Sequence, residues 1–166
     1  VTPTELEWER RIAELWASFE GAAPGDFLAR VEALSAELPV GHPRALFERA
    51  SAHDSLGQEA LAAPLYRQAL ASGLSGGLRR QAVIQLASTL RNLGEVQESV
   101  ALLTAERAAG SDELDDAVAA FLALSLVDAG REREAVGLAL GALARHLPRY
   151  NRSLSNYAKA LAGRAP

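Results

Sequence analysis

Residues 43–107 read PRALFERASAHDSLGQEALAAPLYRQALASGLSGGLRRQAVIQLASTLRNLGEVQESVALLTAER. Two helix–turn–helix units stand back to back in this stretch, each turning at a glycine. The turns are Ser55-Leu56-Gly57 and Asn92-Leu93-Gly94, and a third, Asp128-Ala129-Gly130, follows downstream. Successive glycines are 37 and 36 residues apart. Self-similarity at such a period marks a helical repeat array, in which each unit buries its apolar face only against its neighbours.

The rest of the composition agrees. The chain has 166 residues, 49% hydrophobic and 23% charged, with a formal net charge of −4. That suits one soluble globular unit, so residues 1–166 are read as a single helical-repeat domain. Aromatics are 5%, and the apolar content is mostly Ala and Leu, both strong helix formers. No cysteine is present, which excludes a disulfide framework, a zinc knuckle or a thiol nucleophile and suits a reducing cytoplasm. The acidic, amphipathic start VTPTELEWERR does not read as a signal peptide, and no apolar run is long enough to span a bilayer. Seventeen basic residues are scattered among 21 acidic ones, so no nucleic-acid footprint is expected.

Working outward, Thr2 is expected to cap a first helix, with Pro3 at its first position and Glu5 completing a capping box. Trp8, Ile12, Leu15, Trp16 and Phe19 recur at helical spacing. Residues 21–25 break that helix. Phe27, Val31, Leu34 and Leu38 mark a second, and residues 1–40 form an N-terminal helical pair. Pro43 opens the first repeat, 43–76. Its second helix, Gln58 to Ser72, contains Pro64, which predicts either a kink or a late start. Repeats follow at 80–110 and 116–148, and Ser111-Asp112-Glu113 is expected to begin the seventh helix with acids in its first turn. Tyr150, Leu154, Tyr157 and Leu161 mark a C-terminal cap helix within 149–166.

With the three glycines as repeat position 15, position 8 is Ala50, Ala87 and Ala123, and position 20 is Ala62, Ser99 and Ala135. Small residues there let the two helices of a unit cross closely. Glycine permits the positive φ of a tight turn. This pattern resembles the tetratricopeptide repeat, and residues 65–94 resemble the bacterial group-5-type tetratricopeptide repeat proteins. The resemblance departs at Arg49, where Leu is usual, at His53, where an aromatic is usual, and at Glu106, where a small residue is usual.

The resemblance implies an all-α, right-handed α-solenoid whose first helices line a concave groove. Families of this architecture bind a peptide or partner protein there and rarely catalyse. The implied groove residues are Arg44, Phe47, Glu48, Ser51, Asp54 and Ser55 in the first unit. The second supplies Gln81, Ile84, Gln85, Ser88, Arg91 and Asn92, and the third Ala117, Ala120, Phe121, Leu124, Val127 and Asp128. Chaperone-binding members clamp a terminal carboxylate with Lys and Asn where this chain has Phe47 and Ser51, so that activity is not expected.

Gln85, Ser88, Arg91 and Asn92 lie on adjacent turns of one helix and make a polar recognition patch, or else an ordinary solvated face. Ala120, Phe121, Leu124 and Val127 make an apolar patch at the other end of the groove. It is covered by the last helix, by a second copy in a homodimer, by a partner's amphipathic helix, or by curvature of the unit itself. Gly76-Gly77-Leu78-Arg79-Arg80 lacks a phosphate-loop signature and reads as an inter-repeat turn with surface arginines. His42, His53 and His146 have no metal-ligand spacing with carboxylates. No nucleophile–base set can be assembled, and no metal or cofactor is implied. The chain therefore reads as a non-enzymatic, cytoplasmic interaction module. A self-assembling structural unit is the first rival, and an enzyme or small-molecule sensor the second.

Overall fold

The computed structural model describes residues 3–163. The expected cap at Thr2 lies outside them. Among the described residues there are nine α-helices, one 3₁₀ turn and no strand. The helices are α1 (Pro3–Ala17), α2 (Pro24–Ser35), α3 (Pro43–Ser55), α4 (Glu59–Ala71), α5 (Gly76–Asn92), α6 (Val96–Ala109), α7 (Asp115–Asp128), α8 (Glu132–Ala144) and α9 (Asn151–Ala162). The fold is an all-α helical repeat.

The three repeat turns share one backbone design. Gly57, Gly94 and Gly130 take φ of +69°, +84° and +73°. In each turn the next residue's N–H reaches back five positions: Gln58 to His53 O, Glu95 to Leu90 O, Arg131 to Leu126 O, at 2.8–2.9 Å. A left-handed residue closing this bond satisfies helix-end carbonyls, and glycine adopts it without a Cβ penalty. The small positions are core. Ala50, Ala87 and Ala123 are buried, as are Ala62, Ser99 and Ala135.

Three expectations are corrected. Pro64 lies inside α4, which already begins at Glu59, so it does not start its helix. α7 begins at Asp115 rather than at Ser111. There Asp112 accepts the Leu114 N–H at 2.7 Å, and the Asp115 carboxylate accepts from the Asp112 N–H and the Ser111 hydroxyl. Asp112 thus closes the turn before the helix, and the acids of the helix's first turn are Asp115 and Asp116. Gly76 and Gly77 belong to the first turn of α5, and Arg80 on that helix is buried, not a surface arginine.

Contacts divide the chain into two compact units, Val1–Ala82 and Val83–Pro166. In the first, Trp8, Ile12 and Leu15 of α1 pack with Phe27, Val31 and Leu34 of α2 and Ala52 of α3. Trp16 and Phe19 stack edge-on to Phe27 at centroid distances of 5.0 and 4.8 Å. The Trp8 indole N–H donates to Leu34 O at 2.8 Å, so that buried polar group is satisfied. In the second, Ile84 and Ala87 of α5 pack with Val100 and Leu103 of α6, with Val118, Leu122, Ala123 and Leu126 of α7, and with Ala135 of α8. The Ser99 hydroxyl lies 2.6 Å from Ala87 O and 2.8 Å from the Ser125 hydroxyl, a buried polar tie between α6, α5 and α7. α9 packs on α8.

Candidate functional site

In the first unit, residues expected at the groove are mostly engaged internally. Phe47 is buried, its ring 6.2 Å from that of Tyr66. Ser51 is also buried. Neither offers surface, which corrects their assignment to a binding face. The Tyr66 hydroxyl lies 3.3 Å from both Ser51 Oγ and Asp54 Oδ2. Burial first, and the Asp54 charge as well, push its pKa well above the usual tyrosine value. It therefore stays protonated and donates. Arg44 Nε donates to Glu48 Oε1 at 2.7 Å, and the Arg44 guanidinium sits 5.9 Å from the Trp8 ring centroid. Glu48 is buried; its other oxygen accepts from the Trp16 indole at 2.6 Å. A buried carboxylate is tolerated only when paired and hydrogen-bonded, and Glu48 is both. Sequence reasoning put it on the groove. Its i,i+4 partner Arg44 was a visible signal, whereas Trp16 is 32 residues away.

The second unit presents a different surface. Gln85 and Ser88 of α5 are half-buried and Asn92 is exposed, at i, i+3 and i+7 along one helix. Gln81, one turn earlier on α5 and within the first unit, is exposed. Arg91 is half-buried. It donates through Nη1 to Asp128 Oδ2 at 2.9 Å and through Nη2 to Asn92 Oδ1 at 3.2 Å. Its Nε is buried without a hydrogen-bond partner, so the latch leaves one donor unmet. Arg91 already holds a carboxylate, and a ligand acid would have to displace Asp128.

Asp128 lies one turn beyond Leu124 on α7. The α5–α7 ion pair therefore places the polar residues of α5 beside an apolar strip on α7. Leu124 and Val127 are each 47% exposed, Ala120 is exposed, and Phe121 is half-buried against the core. Curvature does not bury Leu124 or Val127 within their unit.

A crevice of about 630 Å³ opens elsewhere in this unit, between the end of α6, α7, α8 and α9. Small residues such as Ala119, Gly141 and Ala158 leave it unfilled, and no sequence signal singled it out. Its mouth carries Arg107, Arg145 and Lys159 but also Asp115 and Glu134, so no single ligand charge is favoured. The acidic residues do not converge elsewhere. Among the described residues no group of three or more His, Asp or Glu is placed to hold a metal ion. No helix of the described residues is long and apolar enough to cross a membrane.

A family model described as tetratrico peptide repeat matches residues 43–161. The chain belongs to this family, whose domains generally mediate protein–protein interactions and are typically non-catalytic. No curated protein and no solved structure gives a significant match.

Proposed function

We propose that the chain is a non-catalytic interaction module that takes a partner protein or peptide on the α5/α7 face of its second unit. The observation that carries this reading is the strip Ala120, Leu124 and Val127, apolar and open to water beside a row of polar side chains. An apolar strip rimmed by amide and hydroxyl groups suits a segment that inserts alternate or helically spaced apolar side chains. Gln85, Ser88 and Asn92 would then meet the segment's polar groups, and the Arg91–Asp128 pair would keep α5 and α7 in register beneath it. This makes Arg91 a positioning residue rather than an anion receptor. A cytoplasmic, bacterial setting belongs to the same reading and rests on the cysteine-free composition and the group-5 resemblance.

The test is selection of binders from a displayed peptide library against the wild-type chain. Enriched sequences should carry large apolar residues at i, i+3 and i+4 spacing or in alternation. Their binding should fall at least about tenfold on Leu124→Arg, because the variant sets a charge in the apolar contact. Binding that survives Leu124→Arg unchanged, or a selection that enriches nothing, would remove the α5/α7 face from consideration.

A further inference from the structure

Both α7 and α9 pack on α8, and the crevice of about 630 Å³ stands in the angle between them. Its apolar lining is Ala119 and Leu122 of α7, Leu138, Gly141 and Ala142 of α8, and Ala158 of α9. Short side chains at Gly141, Ala142 and Ala158 let α9 lie close on α8 and leave the space towards α7 unfilled. A space of this size falls in the range of small-molecule sites, roughly 300–1,000 Å³, and is lined as they are, by apolar groups with a few polar ones. At 100° per residue, Leu124 lies on the opposite side of α7 from Ala119 and Leu122, so the crevice is separate from the α5/α7 face.

By count, the charges at its mouth are mixed; by pairing, they are not. Glu134 is held by Arg131, whose Nε and Nη2 donate to Oε2 at 3.0 and 2.7 Å. Asp115 accepts from the Ser111 hydroxyl and from the Asp112 N–H. Arg145 is engaged with Asp116. Arg107 and Lys159 form no ion pair among the described residues. An incoming group therefore meets two uncommitted cations and no uncommitted acid. The surrounding sequence adds to this bias. Residues 135–163 contain no Asp or Glu but four cations, Arg145, Arg149, Arg152 and Lys159, in a chain of net charge −4. Arg152, Ser155 and Lys159 are three and four residues apart, so they share one side of α9, and Ser155 and Lys159 line the crevice.

We infer that the crevice is a binding site for a small organic acid with an apolar body. The body lies on the alanine and leucine lining, and the carboxylate is drawn by Arg107 and Lys159. No internal ion pair has to break for it to bind, in contrast to Arg91, where Asp128 would have to leave. Charge sets which end of the ligand faces the mouth, and the lining rewards length: each methylene fully buried strengthens binding about fourfold.

Titration of the ¹⁵N-labelled chain with octanoate, followed by amide chemical shifts, tests the inference. Shifts should saturate and cluster in α8 and α9. Acetate, which has the charge without the body, and octylammonium, which has the body with the opposite charge, should each bind at least about tenfold more weakly. Arg107→Gln combined with Lys159→Gln should weaken octanoate binding at least about tenfold. Arg30→Gln, which removes an exposed cation of the first unit, should not. Both crevice cations are exposed, so the double variant retains its helical circular dichroism. Ser155→Phe, which occupies the space without changing charge, should weaken binding too. Shifts that fail to saturate by about 20 mM octanoate would overturn the inference, as would shifts confined to other helices. So would equal binding of octanoate and octylammonium, or octanoate binding that the double variant leaves intact.

Discussion

The two units fill the space between their helices with different material. Around Phe27 in the first, the rings of Trp16 and Phe19 meet edge-on, and Trp8 is buried nearby. The second unit's core is Ile, Val, Leu and Ala, and its α8/α9 seam is Gly and Ala. Large rings fill wide gaps and consume the bulky side chains in doing so. Small residues bring helices into contact and leave bulky side chains for the outside. Of ten large apolar side chains exposed among the described residues, seven lie in the second unit. Exposed apolar side chains thus collect on the second unit.

The sharpest way to break this contrast is to hollow out the aromatic cluster. Phe27→Ala removes a fully buried ring with two aromatic neighbours and should cost about 3–5 kcal/mol. Both tryptophans, Trp8 and Trp16, lie in the first unit, so denaturant titration followed by tryptophan fluorescence reports that unit. A loss under about 1 kcal/mol would mean that the site collapses around the hole and that the rings do not hold the unit.

How far the sequence reached follows the same division between local and distant causes. The turn glycines were legible because positive φ at a helix end is a local demand that glycine meets. The small positions were legible because close crossing repeats with the period. Phe47 and Ser51 were misplaced because a family register cannot see that Phe47 and Tyr66 share the interior. Arg91 and Asp128 are 37 residues apart, yet that is only one more than the 36-residue interval between their units. An Arg at position 12 of one unit and an Asp at position 13 of the next were a readable sign that the two would pair. Glu48 gave no such sign for Trp16, since α1 precedes the repeats and has no counterpart in their register. The helix period around Pro64 hid the proline's place, because one missing ladder bond does not outweigh the packing of Ala62, Ala63, Tyr66 and Ala69 in α4.

A smaller effect should separate two glycines four residues apart on α8. A methyl at Gly137 would run into backbone atoms of α9, which cannot swing aside, whereas one at Gly141 would make an ordinary contact. Gly137→Ala should therefore loosen α9 and cost about 1–3 kcal/mol. Gly141→Ala should leave α9 docked and add up to about 1 kcal/mol from helix propensity. Hydrogen exchange across residues 151–162 reads the difference. Equal protection of α9 in both variants would mean that the seam is not a close-packed one, and the small-residue account of the second unit would go with it.

The smallest effect concerns charge, and it sharpens the comparison by asking how each unit is fastened at its edges. In the second, Asp116 at the start of α7 accepts from Arg145 and from His146 beyond α8, the latter at 2.8 Å. In the first, the Arg11 guanidinium of α1 donates to both carboxylate oxygens of Glu37, just past α2, at 2.6 and 2.8 Å. Those hydrogen bonds, more than the charge itself, hold the Glu37 carboxyl below its ordinary value of 4.5. A carboxyl whose folded pKa is depressed contributes stability that is full above its unfolded pKa and disappears as pH falls through the folded one. Both partners are more than a third exposed, so the contribution is small and salt-screened. Glu37→Gln should lower the melting temperature, read by tryptophan fluorescence, by a constant small amount from neutral pH down to about 5. The gap to wild type should narrow once pH drops below 4.5 and vanish when the wild-type carboxyl is protonated. It should also shrink in high salt. Exchange of α9 should not respond, because that helix belongs to the other unit. A gap that stayed constant to pH 3, or widened there, would show that Glu37 acts through packing and not through its charge.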